Sequence, residues 1–136
     1  MSADVVEWRP GVRTRLIAAA STGATQLCLF EQWSEPGAGA PAHRHPGVEE
    51  AVSVLAGEAE FWVEHERRRV AKGDTVFVAP DRRHGFTNVG TSTLHTLAAF
   101  ADAAPPVVYD DEPDVVYEVG GSGPTRRDAH RSIRSD

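Results

Sequence analysis

Residues 37–57 read GAGAPAHRHPGVEEAVSVLAG. His43 and His45 stand one residue apart, and two carboxylates, Glu49 and Glu50, follow within five residues before the segment turns apolar. In extended backbone, side chains two positions apart share a face, so both imidazoles can reach one ion. Glu50 lies at an odd offset from His45 and would face the other way in an unbroken strand. Pro46-Gly47 interrupts the strand and lets a carboxylate return to the same site from the next one. A third imidazole is available at His84, which follows the apolar run 75–78 and a turn, with Phe86 and Asn88 at the same parity beyond it. Three neutral imidazoles and one carboxylate suit a divalent first-row metal with positions left open.

Working outward, the hydrophobic pattern is that of strands throughout, and no helix-period apolar pattern lasts 11 residues. The pattern predicts an all-β chain with strands at 15–19, 25–33, 51–55, 59–63, 68–70, 75–78, 85–88 and 93–100. Gly, Asp, Asn and Ser clusters such as Lys72-Gly73-Asp74 and Asn88-Val89-Gly90 punctuate them. Some eight short strands at near-regular spacing point to a sandwich or a small closed barrel, both of which hide sheet edges. Runs such as LCLF and TVFVA are apolar on both faces, so one face fills the interior and the other is free to pack on a second sheet or a second subunit; a homodimer is expected. From Ala103 the composition turns to Pro, acidic residues and Gly, which sets a barrel domain at 1–104 apart from a C-terminal arm at 105–136. The arm is read as partly extended, with a strand within 115–119, and disordered or solvated at its end.

The 136 residues, 40% hydrophobic and 25% charged, suffice for one globular domain with one core. A net charge of −6 works against nucleic acid or an anionic membrane as partner. No apolar run spans a bilayer, and the start MSADVVEWRP lacks the charged and apolar regions of a signal peptide, so a cytoplasmic protein is expected. The single cysteine, Cys28, agrees with a reducing compartment and reads as a small buried hydrophobe.

Taken together these residues resemble the cupin superfamily, small β-barrels also called double-stranded β-helices or jelly rolls. The first cupin motif runs Gly, five residues, His-x-His, three or four residues, Glu, six residues, Gly; Gly37, His43, His45, Glu50 and Gly57 fit it with the four-residue option. That spacing selects Glu50 over Glu49. The second motif runs Gly, five residues, Pro-x-Gly, two residues, His, three residues, Asn, and Gly73, His84 and Asn88 match its ends. Its middle departs, with Ala79 in the proline's place, Asp81 in the glycine's, and Pro80 shifted by one. The resemblance covers 31–100 and implies a jelly-roll barrel with one divalent transition metal (Fe, Mn, Ni, Zn, Co or Cu, iron favoured) on His43, His45, Glu50 and His84. It further implies a metal-dependent enzyme on a small-molecule substrate, with an oxygenase favoured. A cupin isomerase, cyclase or lyase is the alternative, and a non-catalytic metal- or ligand-binding sensor the second.

Three more residues are candidates for chemistry. His95, on a later strand, is available as an acid or base, and Arg82 and Arg83, next to His84, as a clamp for a substrate carboxylate. His65, in a polar turn, and His130, in the tail, read as solvated, and Arg44 should point away from the two histidines that flank it.

Overall fold

A computed structural model describes residues 5–121. Within them the chain forms β1 (Val5–Arg9), β2 (Val12–Ala18), β3 (Cys28–Ser34), β4 (Gly39–Arg44), β5 (Glu50–Ala56), β6 (Glu58–Val63), β7 (Glu66–Ala71), β8 (Thr75–Val78), β9 (His84–Asn88), β10 (Leu94–Phe100), β11 (Pro106–Tyr109) and β12 (Tyr117–Glu118). A single 3₁₀ turn, Ala20–Thr22, is the only helical element among the described residues. No helix there is long and apolar enough to cross a membrane. The expected all-β fold is what forms.

Two six-stranded antiparallel sheets face each other, ordered β1-β2-β3-β10-β5-β8 and β12-β11-β4-β9-β6-β7. The core lies between them because strand side chains alternate. Along β10, Leu94, Thr96, Ala98 and Phe100 are buried while the residues between them are partly exposed, and β5 buries Glu50, Val52 and Val54 in the same way. Phe30, Phe61, Phe86 and Phe100 fill the interior; burying each fully contributes about 1.5–3 kcal/mol.

Three strands, β1, β4 and β11, escaped the sequence pattern. β1 is exposed along most of its length and carries no alternation. β4, GAPAHR, holds Gly, Pro and Ala where strands usually carry branched residues, and its ladder to β9 shifts register between Ala40 and His43. That bulge accommodates Pro41 and turns Ala40, His43 and His45 to one side. β11 opens on Pro106 and pairs with β4, Val108 opposite Arg44 and Tyr109 opposite His43. β12 falls inside the strand expected at 115–119 and pairs with β11. The remainder of the expected arm, 122–136, lies outside the described residues, and His130 with it.

Asn88 ties the two sheets at one end. Its Nδ2 donates to Ser34 O and Ser92 O, each at 2.9 Å, and its Oδ1 accepts from Gly90 N at 2.8 Å.

Candidate metal centre

The register of β4 on β9 sets His43 directly across from His84, the first residue of β9. His45 follows just past the end of β4, and Glu50 opens β5 in the opposite sheet. Between His45 and Glu50 the chain reverses through Pro46-Gly47, with Gly47 at φ +70° and Val48 N donating to His45 O at 3.3 Å. The break expected from the sequence is thus a turn that carries Glu50 back over the histidines. All four side chains are buried, and one ligand atom from each lies within 4.8 Å of every other.

Hydrogen bonds fix how the rings present themselves. Nδ1 of His43 lies 2.7 Å from Pro41 O, Nδ1 of His45 3.0 Å from Pro106 O, and Nδ1 of His84 2.8 Å from Arg82 O. A carbonyl only accepts, so each Nδ1 carries the hydrogen and each neutral ring offers its Nε2 lone pair. Glu50 Oε1 sits 3.2 Å from Nε2 of His45 and 3.1 Å from Nε2 of His84. Lone pairs facing a carboxylate oxygen repel unless a cation or proton lies between them. Donors about 2.1 Å from one ion and at right angles to each other stand about 3.0 Å apart, close to these spacings. Nε2 of His45 is moreover buried without any hydrogen-bond partner among the described residues. An orphaned buried nitrogen of this kind is costly unless something fills the point it faces.

The protonation states fit the same occupant. Burial, then the neighbouring His84 and His45, holds His43 well below the ordinary imidazole range. Burial pushes the Glu50 carboxyl up, but positive charge on the His45 and His84 side of the cluster holds it well below the usual range; neutral rings do not supply that charge, and a cation at the same point would. A neutral imidazole and an ionised carboxylate are the ligating forms. Phe100 packs edge-on against His45 at 4.9 Å, and the His43 and His84 rings lie 4.1 Å apart, which limits ring rotation.

Asp81, which stands where the second motif has glycine, takes φ +69°. Aspartate tolerates this left-handed region better than most residues. Its backbone N donates to His45 O at 3.2 Å and its carboxylate accepts from Gly47 N at 3.3 Å, so the departure from the motif links the two turns that carry the histidines.

The other candidates lie elsewhere. Glu49 is exposed, its parity opposite to that of Glu50. His95 sits on the outer face of β10, bonded to Glu31 at 2.8 Å and stacked on Trp33 at 4.9 Å; the inward position beside it is Thr96. Arg82 is half-exposed and 4.0 Å from Glu64. Arg83 pairs with Asp110 and covers the Trp62 ring at 5.0 Å. None of these three lines the cavity beside the histidines. Arg44 points outward to Asp81, 3.5 Å away, as its parity requires.

The cavity runs from His43, His45, Glu50 and His84 past the phenylalanines toward Arg9, Gln32, Thr96 and Tyr109. Space for the centre of a water-sized sphere amounts to about 40 Å³, and about 10–15 Å³ of such space holds one water, so the room is for a few waters or a small organic molecule. Gln32 was legible in principle, as a polar residue at the inward parity of the apolar strand β3; its Nε2 donates to Thr14 Oγ1 at 3.0 Å. Arg9 and Tyr109 carried no such signal.

Compared with known families, residues 32–100 match the profile of the Cupin domain, a segment that contains all four cluster residues. The chain belongs to the cupin domain family. An uncharacterized protein of Methanocaldococcus jannaschii is 30% identical to this cupin over 69 residues, 51% of this chain and 53% of that protein. The chain thus spans about half the length of the curated relative it matches. Among solved structures, recombinant oxalate oxidase in complex with glycolate superposes at TM-score 0.67 and 21% identity, over 73% of this cupin and 55% of that chain. KdgF from Halomonas sp. follows at 0.64 and 21%, over 72% and 87%. An RmlC-like cupin from Shewanella frigidimarina does so at 0.66 and 20%, over 74% and 85%. These likenesses are of fold.

Proposed function

We propose that this cupin is a metal-dependent enzyme acting on a small organic molecule, with His43, His45, Glu50 and His84 holding one divalent transition metal. One observation carries the reading: three Nε2 lone pairs and a carboxylate oxygen converge, buried, at the wall of a cavity. A divalent metal bound there supplies Lewis-acid polarisation or a binding position for oxygen. The chain's own part is to orient the imidazoles through Pro41, Pro106 and Arg82 carbonyls and to hold the Glu50 carboxylate beside Nε2 of His45 and His84. Phe61, Phe86 and Phe100 exclude water from the donors.

Within that reading we favour an oxygenase, with iron as the metal. Protein loaded with Fe(II) should consume oxygen with at least one member of a panel of small hydroxy acids, keto acids and enols, and zinc-loaded protein should not. Equal turnover with zinc assigns a cupin isomerase, cyclase or lyase instead. No metal-dependent turnover across the panel sinks the enzymatic reading and favours a sensor.

The same proposal has the chain working as a homodimer. Phe77, 59% exposed on the edge strand β8, lies beside Ala51 of β5 and, beyond it, Ala99 of β10, and gives the outer face of the first sheet an apolar patch. A Phe77→Arg substitution should shift the protein from dimer to monomer in sedimentation, and a wild type that sediments as a monomer excludes this assembly.

A further inference from the structure

The cavity carries one cation of its own. β1 bulges against β2 between Glu7 and Arg9, where Glu7 faces Arg13 and Arg9 faces Val12. A bulge places consecutive residues on one side, and here both Trp8 and Arg9 line the cavity. Arg9 Nη1 donates to Gly39 O at 2.9 Å, and Nη2 donates to Tyr109 Oη at 2.9 Å. Both acceptors are neutral, and among the described residues Arg9 has no acidic partner. A guanidinium has five N–H groups in a rigid fork, so three remain for a ligand. Tyr109 stands opposite His43 in the β11–β4 ladder, its ring 5.7 Å from the His43 ring, while its hydroxyl meets Arg9. One tyrosine side chain therefore separates the guanidinium from the metal-ligand cluster.

We propose that Arg9 is the anion-binding residue of this cavity and that its ligand is a small organic carboxylate, with the carboxylate on the Arg9 fork and the rest of the molecule directed toward the His43 cluster. The inference rests on the metal-centre reading above for its second positive group. Three neutral imidazoles and one carboxylate leave a divalent ion with one net positive charge, so the cavity then has positive charge at both ends and Glu50 as its only acid. A neutral ligand leaves Arg9 unpaired. A carboxylate neutralises it through charge-assisted, bidentate hydrogen bonds. Tyr109 acts as a positioning residue for the fork.

The test is calorimetric titration of the zinc-loaded full chain with malonate and with malonamide, its neutral counterpart. Wild type should bind malonate at least about ten-fold more tightly than malonamide. Arg9→Gln should weaken malonate binding by about ten- to a hundred-fold, the loss expected for hydrogen bonds to a charged group, and leave malonamide unchanged. Arg9→Lys keeps the charge without the fork and should fall between the two; it replaces Arg9→Gln as the deciding variant if circular dichroism shows the latter unfolded. Malonate affinity within about two-fold of wild type in the deciding variant overturns the proposal, as does no malonate binding by wild type. Zinc content of the same samples keeps the two readings apart. A wild type without zinc whose malonate binding still depends on Arg9 removes the metal reading and retains this one. Stoichiometric zinc with no Arg9 effect does the reverse.

Discussion

A His43→Ala, His84→Ala double variant, purified without chelators, should retain less than about a tenth of the divalent metal per chain that wild type carries, with affinity lowered at least about a hundred-fold. Both rings are removed because each single variant leaves two imidazoles and Glu50, enough for residual binding. The pair faces itself across the β4–β9 ladder, so the double change empties one side of the cluster while Glu50 and His45 stay. Truncating two packed side chains also costs stability, about 2–5 kcal/mol for a typical large core residue, so thermal denaturation with and without EDTA provides the control. A metal that binds only the folded protein adds about 4 kcal/mol at a thousand-fold excess over Kd. EDTA should therefore lower the midpoint of wild type and leave that of the double variant unmoved. Full metal content in a folded double variant would exclude the assigned site.

The second large effect falls on a residue outside the family motif. Gly39→Ala should destabilise the fold by about 3 kcal/mol, at the upper end for overpacking, and lower the melting temperature by roughly 10 °C. A Cβ at Gly39 would lie 2.1 Å from Phe86 O, 2.9 Å from Phe86 C and 3.0 Å from Thr87 Cα. All three are backbone atoms of the strand that pairs with β4, so no rotamer change relieves the contact. Gly37→Ala is the comparison. Gly37 belongs to the motif and has φ +85°, yet nothing lies within 4 Å of its Cβ position, so it should cost only the left-handed penalty of about 1–2 kcal/mol. Because the strained strand is the one that holds His43 against His84, Gly39→Ala should weaken metal binding as well, whereas Gly37→Ala should not. Equal stabilities for the two variants would show that β4 and β9 have room to separate.

What could be read from the sequence follows in part from what strand geometry encodes. His43 and His45 share a face by parity, and the turn at Pro46-Gly47 could be read from its residues; the choice of Glu50 over Glu49 and the full set with His84 came from the resemblance to the cupin motifs, whose spacing strand parity does not encode. The facing of position 95 was not legible. In β10, residues 94 and 97–100 are apolar without a break, so alternation does not say which parity faces inward, and the structure turns Thr96 in and His95 out. Arg9 and Tyr109 escaped for different reasons. Arg9 reaches the cavity through a bulge, which resets parity locally. Tyr109 comes from a segment opened by prolines and flanked by acidic residues, whose pairing with β4 depends on contacts distant in sequence.

The cluster draws its donors from both halves of the barrel, Glu50 from one sheet and the three histidines from the other. An ion held there is a rivet across the seam at that end, the counterpart of Asn88 elsewhere in the fold, and the cavity lies along that seam. Occupancy of the centre and width of the cavity are then two readings of a single equilibrium. By reciprocity, a guest whose own affinity the ion raises tightens the grip on the ion by that same factor, and a guest whose affinity the ion lowers loosens it likewise.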